Sequence, residues 1–143
     1  MQQRKRYKIL LLCGVFLLFS CGQSRVGGSR EAVAMRFLTQ VYALQFDKLS
    51  DIVADQALYQ VAVLEGRTEV MNETQRVAYI AQDIEITQLQ SLNNDTKVII
   101  TYQVRFQDGR TMDNRLELVQ TTRHRWQVVR VYYPLISGNL YDY

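Results

Sequence analysis

The sequence predicts an α+β domain in which N-terminal helices pack on a four-stranded antiparallel sheet. Three observations carry this. Apolar residues recur with a helical period between residues 29 and 82, and the period changes to two after Asp83. Turn-forming clusters at Asn93-Asn94-Asp95 and Asp108-Gly109 then divide the second half into hairpin-length pieces. The lone proline, Pro134, stands where the last strand should stop.

The helical half comes first. Ser29 can cap a helix through its hydroxyl, and Val33, Phe37, Val41 and Leu44 follow at i, i+4, i+8 and i+11, with Ala34 and Leu38 widening the stripe. The spacing predicts a helix with one apolar face, ending near Phe46. Asp47 is placed to cap a short second helix carrying Leu49, Ile52 and Val53. The stretch DQALYQVAVLEG that follows is apolar but has no clean period, so its structure is left open. Asn72 followed by Gln75 resembles a capping box, opening a third helix through Val77, Ala78, Ile80 and Ala81.

In the strand half, Ile84, Ile86 and Leu89 belong to a first strand that ends at Asn93-Asn94-Asp95. Val98, Ile100, Tyr102, Val104 and Phe106 alternate with Ile99, Thr101, Gln103 and Arg105 in a second. Met112, Leu116 and Leu118 mark a third, and a last strand runs from Trp126 to Tyr133. Register decides the central hairpin. A two-residue Asp-Gly turn would set Val104 opposite Asp113, Tyr102 opposite Arg115 and Ile100 opposite Glu117, placing charges on the apolar face. A three-residue loop, Gln107 to Gly109, pairs Val104 with Met112, Ile100 with Leu116 and Val98 with Leu118. One residue of slip flips a whole strand, so burial selects the second. That loop ends in a left-handed residue, where Gly109 stands.

Ahead of the domain, Arg4, Lys5, Arg6 and Lys8 precede an apolar run from Ile9 to Phe19, the pattern of a secretory signal. About a dozen apolar residues fall short of the ~20 that a spanning helix needs. Leu18, Phe19 and Ser20 before Cys21, with Gly22 after it, resemble the lipobox of bacterial lipoproteins. The resemblance implies that residues 1–20 are removed and that Cys21 carries lipid. Two or more acyl chains make such an anchor stable. It also implies a cell-envelope location, held in the outer membrane and facing the periplasm. The chain then divides into a signal (1–20), a lipidated cysteine and tether (21–28), one domain (29–133) and a tail (134–143).

Removal of the signal takes four basic residues and leaves thirteen Lys plus Arg against fourteen Asp plus Glu, a formal −1. A nucleic-acid partner loses its compositional basis. Cys13 also leaves, so no thiol remains for a disulfide, a metal or a nucleophile. The single histidine leaves only scattered carboxylates. No metal and no cofactor are expected.

The segments EAVAMRFLTQVYALQFDKL, TKVIITYQVRFQDGR and LELVQTTRHRWQVVRV together resemble the nuclear transport factor 2-like superfamily, the cystatin-like, SnoaL-like group that includes ketosteroid isomerase. Within it the chain is similar to small bacterial lipoproteins of unknown function. The resemblance spans Ser29 to Tyr133. It implies a cone-like domain whose curved sheet curls around the first helix and leaves a cavity at its wide end. Some members use that cavity for catalysis, and others for binding or not at all.

Isomerase chemistry of that kind needs a carboxylate base in an apolar cavity and hydroxyl donors for an oxyanion. The material here is Asp83 with Tyr42, Tyr79 and Tyr102. Asp83 reads more simply as a turn residue at the start of the sheet. The tyrosines read as core rings with hydroxyls at the rim. With Trp126 they are the expected lining of any cavity. His124, between Arg123 and Arg125, reads as solvated loop. There is no Gly-rich phosphate loop and no nucleophile elbow. No catalytic residue is assigned.

The last strand is apolar on both sides. Trp126 and Val128 are expected inside. Val129, Val131 and Tyr133 are expected on the outer face with Ile99 and Val119, as a surface for a partner. The tail PLISGNLYDY either covers that face or joins it. The expected function is a membrane-anchored, non-catalytic binding or assembly domain whose partner is another envelope protein or a second copy. The alternative is a cavity protein for a small apolar ligand.

Overall fold

Ser29 caps the first helix as expected, its hydroxyl accepting the Ala32 N–H at 3.2 Å. The computed structural model describes residues 28–136. Cys21, the signal before it, the tether up to residue 27 and the tail from residue 137 lie outside the described residues. Helix α1 is Arg30–Val41 and buries Val33, Ala34, Phe37, Leu38 and Val41. It ends earlier than the apolar stripe suggests. Leu44 turns left-handed (φ 58°), its N–H bonding the Val41 carbonyl while the Gln45 N–H reaches back to Gln40 at 2.9 Å. This pair of bonds is a Schellman closure, here made without glycine.

The expected second helix is a single 3₁₀ turn, Phe46–Lys48. Leu49, Ile52 and Val53 follow it into the core from an irregular loop. Arg36 of α1 holds that loop by donating twice to the Asp51 carboxylate, at 2.8 and 2.9 Å, and once to the Lys48 carbonyl. The aperiodic stretch is helix α2, Asp55–Glu69. Its inner stripe is Ala57, Val61, Leu64 and Thr68, but Leu58, Tyr59, Ala62 and Val63 on the other side are exposed. Apolar residues on both sides erase the period. Helix α3, Glu73–Ala78, opens with the expected capping box, its two Asn72–Gln75 bonds each 2.9 Å.

Four strands follow: β1 Ala81–Leu92, β2 Lys97–Phe106, β3 Thr111–Gln120 and β4 Trp126–Val131. They form an antiparallel meander in the order β1-β2-β3-β4, so the α+β plan is present. The β2–β3 register is the three-residue solution: Val104 faces Met112, Ile100 faces Leu116 and Val98 faces Leu118. Gly109 has φ 84°. The β1–β2 turn needs three left-handed residues in succession, and Asn93, Asn94 and Asp95 supply them. Short polar side chains tolerate that conformation best after glycine.

The last strand corrects the expected placement of Val131. Leu118 pairs with Val128, but Glu117 pairs with Arg130, leaving Val129 as an extra residue. This bulge inverts the alternation beyond it. Trp126, Val128 and Val131 therefore all face the core, and Val131 is 1% exposed. The free edge of β4 is covered twice. Val128 exchanges bonds with the loop, its N–H donating to Ile52 and its carbonyl accepting from Ala54. The Gln60 side chain then acts as a strand partner, donating to the Val131 carbonyl at 2.7 Å and accepting its N–H at 2.9 Å.

The core lies between α1, α2 and the inner sheet face, where Val98, Ile100, Tyr102 and Val104 are fully buried. It continues past the expected boundary at Tyr133, because Leu135 and Ile136 are also buried. The start of the tail thus packs beside α2 rather than over the outer sheet face. Among the described residues no helix is long and apolar enough to cross a membrane.

Candidate functional site

Alternation along β2 turns Tyr102 inward, and the end of α1 delivers Tyr42 to meet it. Their hydroxyls are 3.1 Å apart, the ring centroids are 6.2 Å apart, and Phe106 stands edge-on to Tyr42. Tyr42 is 2% and Tyr102 0% exposed. Burial pushes both phenols well above their ordinary range, Tyr102 with some offset from the Tyr42 and Asn114 side chains. Each is therefore a neutral hydrogen-bonding group at neutral pH.

Asn114 faces Tyr102 across the sheet and is 1% exposed. Its amide is committed to the backbone. Nδ2 donates to the Tyr133 carbonyl at 3.1 Å and the Pro134 carbonyl at 3.4 Å. Oδ1 accepts from the N–H groups of Arg115 at 2.7 Å and Tyr133 at 3.1 Å. Sequence reading passed over Asn114, although a polar residue at an inward position between Met112 and Leu116 is a signal in itself.

The other candidates do not converge on this pair. Asp83 lies within β1, its side chain 60% exposed and 3.3 Å from the Arg105 guanidinium. Tyr79 is buried under Arg110, whose guanidinium also covers Phe106. Trp126 lines a separate cleft of about 230 Å³ with Gly28, Ile52 and Arg125. The four expected lining residues thus fall in three places. His124 is an exposed, left-handed turn residue (φ 56°) between β3 and β4. Among the described residues no cluster of His, Cys, Asp and Glu is built to hold a metal.

The expected partner surface is also redistributed. Ile99, Val119 and Val129 are half-buried on the outer face, and Tyr133 is 54% exposed. The face they share is largely polar, crossed by the Lys97–Glu117 ion pair at 2.7 Å. The large exposed apolar side chains collect elsewhere, at Leu58, Tyr59 and Val63 on α2 and at Val70 and Val77 beyond it. Tyr59 and Val63 also border a cleft of about 190 Å³ closed on its far side by Leu135 and Ile136. The only sequence signal for this surface was the missing period of the α2 stretch.

No protein-family model and no curated protein matches this chain. Two solved structures are similar to it. One is a Campylobacter jejuni protein called, provisionally, an NTF2-like transpeptidase. It is 18% identical, with 70% of this chain and 96% of that one covered and a TM-score of 0.45. The other is the intermembrane-space region of the chloroplast protein ARC6, 10% identical, with 71% and 91% covered and a TM-score of 0.46.

Proposed function

We propose that the mature protein is a lipid-anchored, non-catalytic binding domain of the cell envelope that recruits a protein partner to the outward side of α2. The lipobox-like LFSC supports the anchor, and its position ahead of the folded domain makes residues 22–28 a tether. The observation that carries the binding role is the exposure of Leu58 (56%), Tyr59 (72%) and Val70 (78%) along one helix and its end. Large apolar side chains left in solvent on one element support a contact site there. The cavity reading weighs less, because Tyr42 and Tyr102 spend their rings on core packing and their hydroxyls on each other.

The test is photocrosslinking in the producing bacterium, with a photoreactive residue at position 59 and, for comparison, at position 103 on the outer sheet face. Repeated capture of one envelope protein, or of a second copy, from position 59 and not from 103 is the expected result. Capture should fail with Val63→Glu. Absence of any position-59 product, or equal capture from both positions, overturns the binding surface. Cys21→Ser should release the protein from washed membranes, and its retention there overturns the anchor.

A further inference from the structure

Gly28, where the tether meets the domain, borders the same cleft as Arg125 and Trp126 of the β3–β4 turn. The β1–β2 turn stands beside them. The Arg30 guanidinium donates to Ser91 Oγ at 2.7 Å and lies 3.7 Å from Asp95, and the Gln120 N–H donates to the Thr96 carbonyl at 2.8 Å. The start of α1 and two sheet turns therefore form one end of the domain, while Gly109 marks the other end of β2 and β3. The β3–β4 turn is closed on itself. The Thr121 N–H donates to the Arg125 carbonyl at 2.7 Å, the His124 N–H donates to the Thr121 carbonyl at 2.9 Å, and the Thr121 hydroxyl accepts the Arg125 N–H at 3.2 Å. Arg123, His124 and Arg125 are exposed on this fixed turn.

Most acids near this end are already engaged. Glu31 and Asp95 face Arg30, Asp51 holds Arg36, and Glu117 holds Lys97. Asp55 stands at the start of α2, past the bond from Ala54 to Val128. Among the described residues Arg123 and Arg125 have no carboxylate partner. Arg25 in the tether adds a third cation. Together these residues carry one formal positive charge in excess, and the remainder of the mature chain carries two negative charges in excess. The positive end of the domain is the end that the tether leaves.

We propose that this end docks on anionic lipid headgroups, with Arg123 and Arg125 touching the membrane that holds Cys21. The docking rests on the lipid anchor and adds an orientation to it. The seven residues from Cys21 to Gly28 span at most about 25 Å, less than the ~33 Å length of the ten-residue strand β2. The tethered end therefore stays within reach of the headgroups, and charge decides how the domain sits. Each arginine brought to an anionic surface favours that pose about fivefold, and the effect fades beyond a Debye length. The partner side of α2 stays free. Gln60 meets Val131, the far end of β4 from Trp126, which sets the neighbouring Tyr59 roughly 15 Å further from the headgroups.

The experiment places the mature lipidated protein in nanodiscs carrying a trace of gadolinium-chelating lipid and reads the broadening of backbone amide NMR signals. In phosphatidylglycerol nanodiscs, Thr122 and His124 should broaden several-fold more than Gly109. The contrast should shrink in phosphatidylcholine, and Arg123→Gln with Arg125→Gln should shrink it equally in phosphatidylglycerol. Added salt should do the same, because exposed charges are screened. Unshifted Val98 and Ile100 amides report that the double variant remains folded. A contrast no larger in phosphatidylglycerol than in phosphatidylcholine, or one that survives the double substitution, overturns the docking and leaves the anchor standing. A Cys21 that carries no lipid by mass spectrometry overturns the anchor, and the docking with it.

Discussion

The Tyr42 and Tyr102 hydroxyls, 3.1 Å apart in the core, give the domain a pH dependence with a definite sign. Burial is the largest cause of the upward shift at both phenols. Below the ordinary value of 10.0 the folded and unfolded chains hold the same phenolic protons, so this contribution is constant. Above it the unfolded chain releases protons that the folded one retains, and stability falls as pH rises. The slope is about 1.4 kcal/mol per pH unit for each tyrosine. Urea unfolding across this range should show that decline, and Tyr42→Phe with Tyr102→Phe should flatten it. At neutral pH, Tyr102→Phe alone should cost about 1–3 kcal/mol by stranding the Tyr42 hydroxyl. The double substitution should cost no more than the single. A decline of equal steepness in the double variant would show that these phenols are not its source.

At the scale of elements, the two sheet edges are managed differently. Exposed edges invite pairing with other chains. The β1 edge is irregular, with register shifts near Ala81 and at Thr87. The β4 edge is covered by residues 52–54 and by the side-chain amide of Gln60. One glutamine on α2 thus completes a ladder that no backbone reaches. Gln60→Ala should remove both bonds to Val131 and destabilise by about 1–2 kcal/mol. The Val131 amide should lose protection from hydrogen exchange while Val98, in the central strand β2, keeps its own. Equal loss at both amides would mean that Gln60 supports the whole fold rather than this edge.

For the molecule as a whole, Asn114 joins the sheet to the segment that follows it. Three of the four bonds made by one buried amide hold the turn at Tyr133 and Pro134. Leu135 and Ile136 can then reach the core beside α2. Asn114→Ala should leave the Tyr133 N–H without its partner and cost about 2 kcal/mol. Limited proteolysis should open a new cut near Tyr133 before the domain unfolds. Loss of stability without that cut would place the role of Asn114 in the sheet alone.

What the sequence by itself determined is the part governed by short-range rules. Ser29 and Asn72 announce their helices because a capping side chain acts within three residues. Gly109 announces the loop because few residues tolerate its φ, and the β2–β3 register follows since any slip would bury charge. The tertiary structure alone decided the rest. Leu44 looks like one more helical stripe residue, and only packing makes it the left-handed stop. Val131 looks outward by alternation, and only a bulge at Val129 turns it inward. Of the four aromatic residues expected around one cavity, only Tyr42 and Tyr102 meet, while Tyr79 and Trp126 lie elsewhere. Their positions depend on how distant elements cross, and no local spacing encodes that.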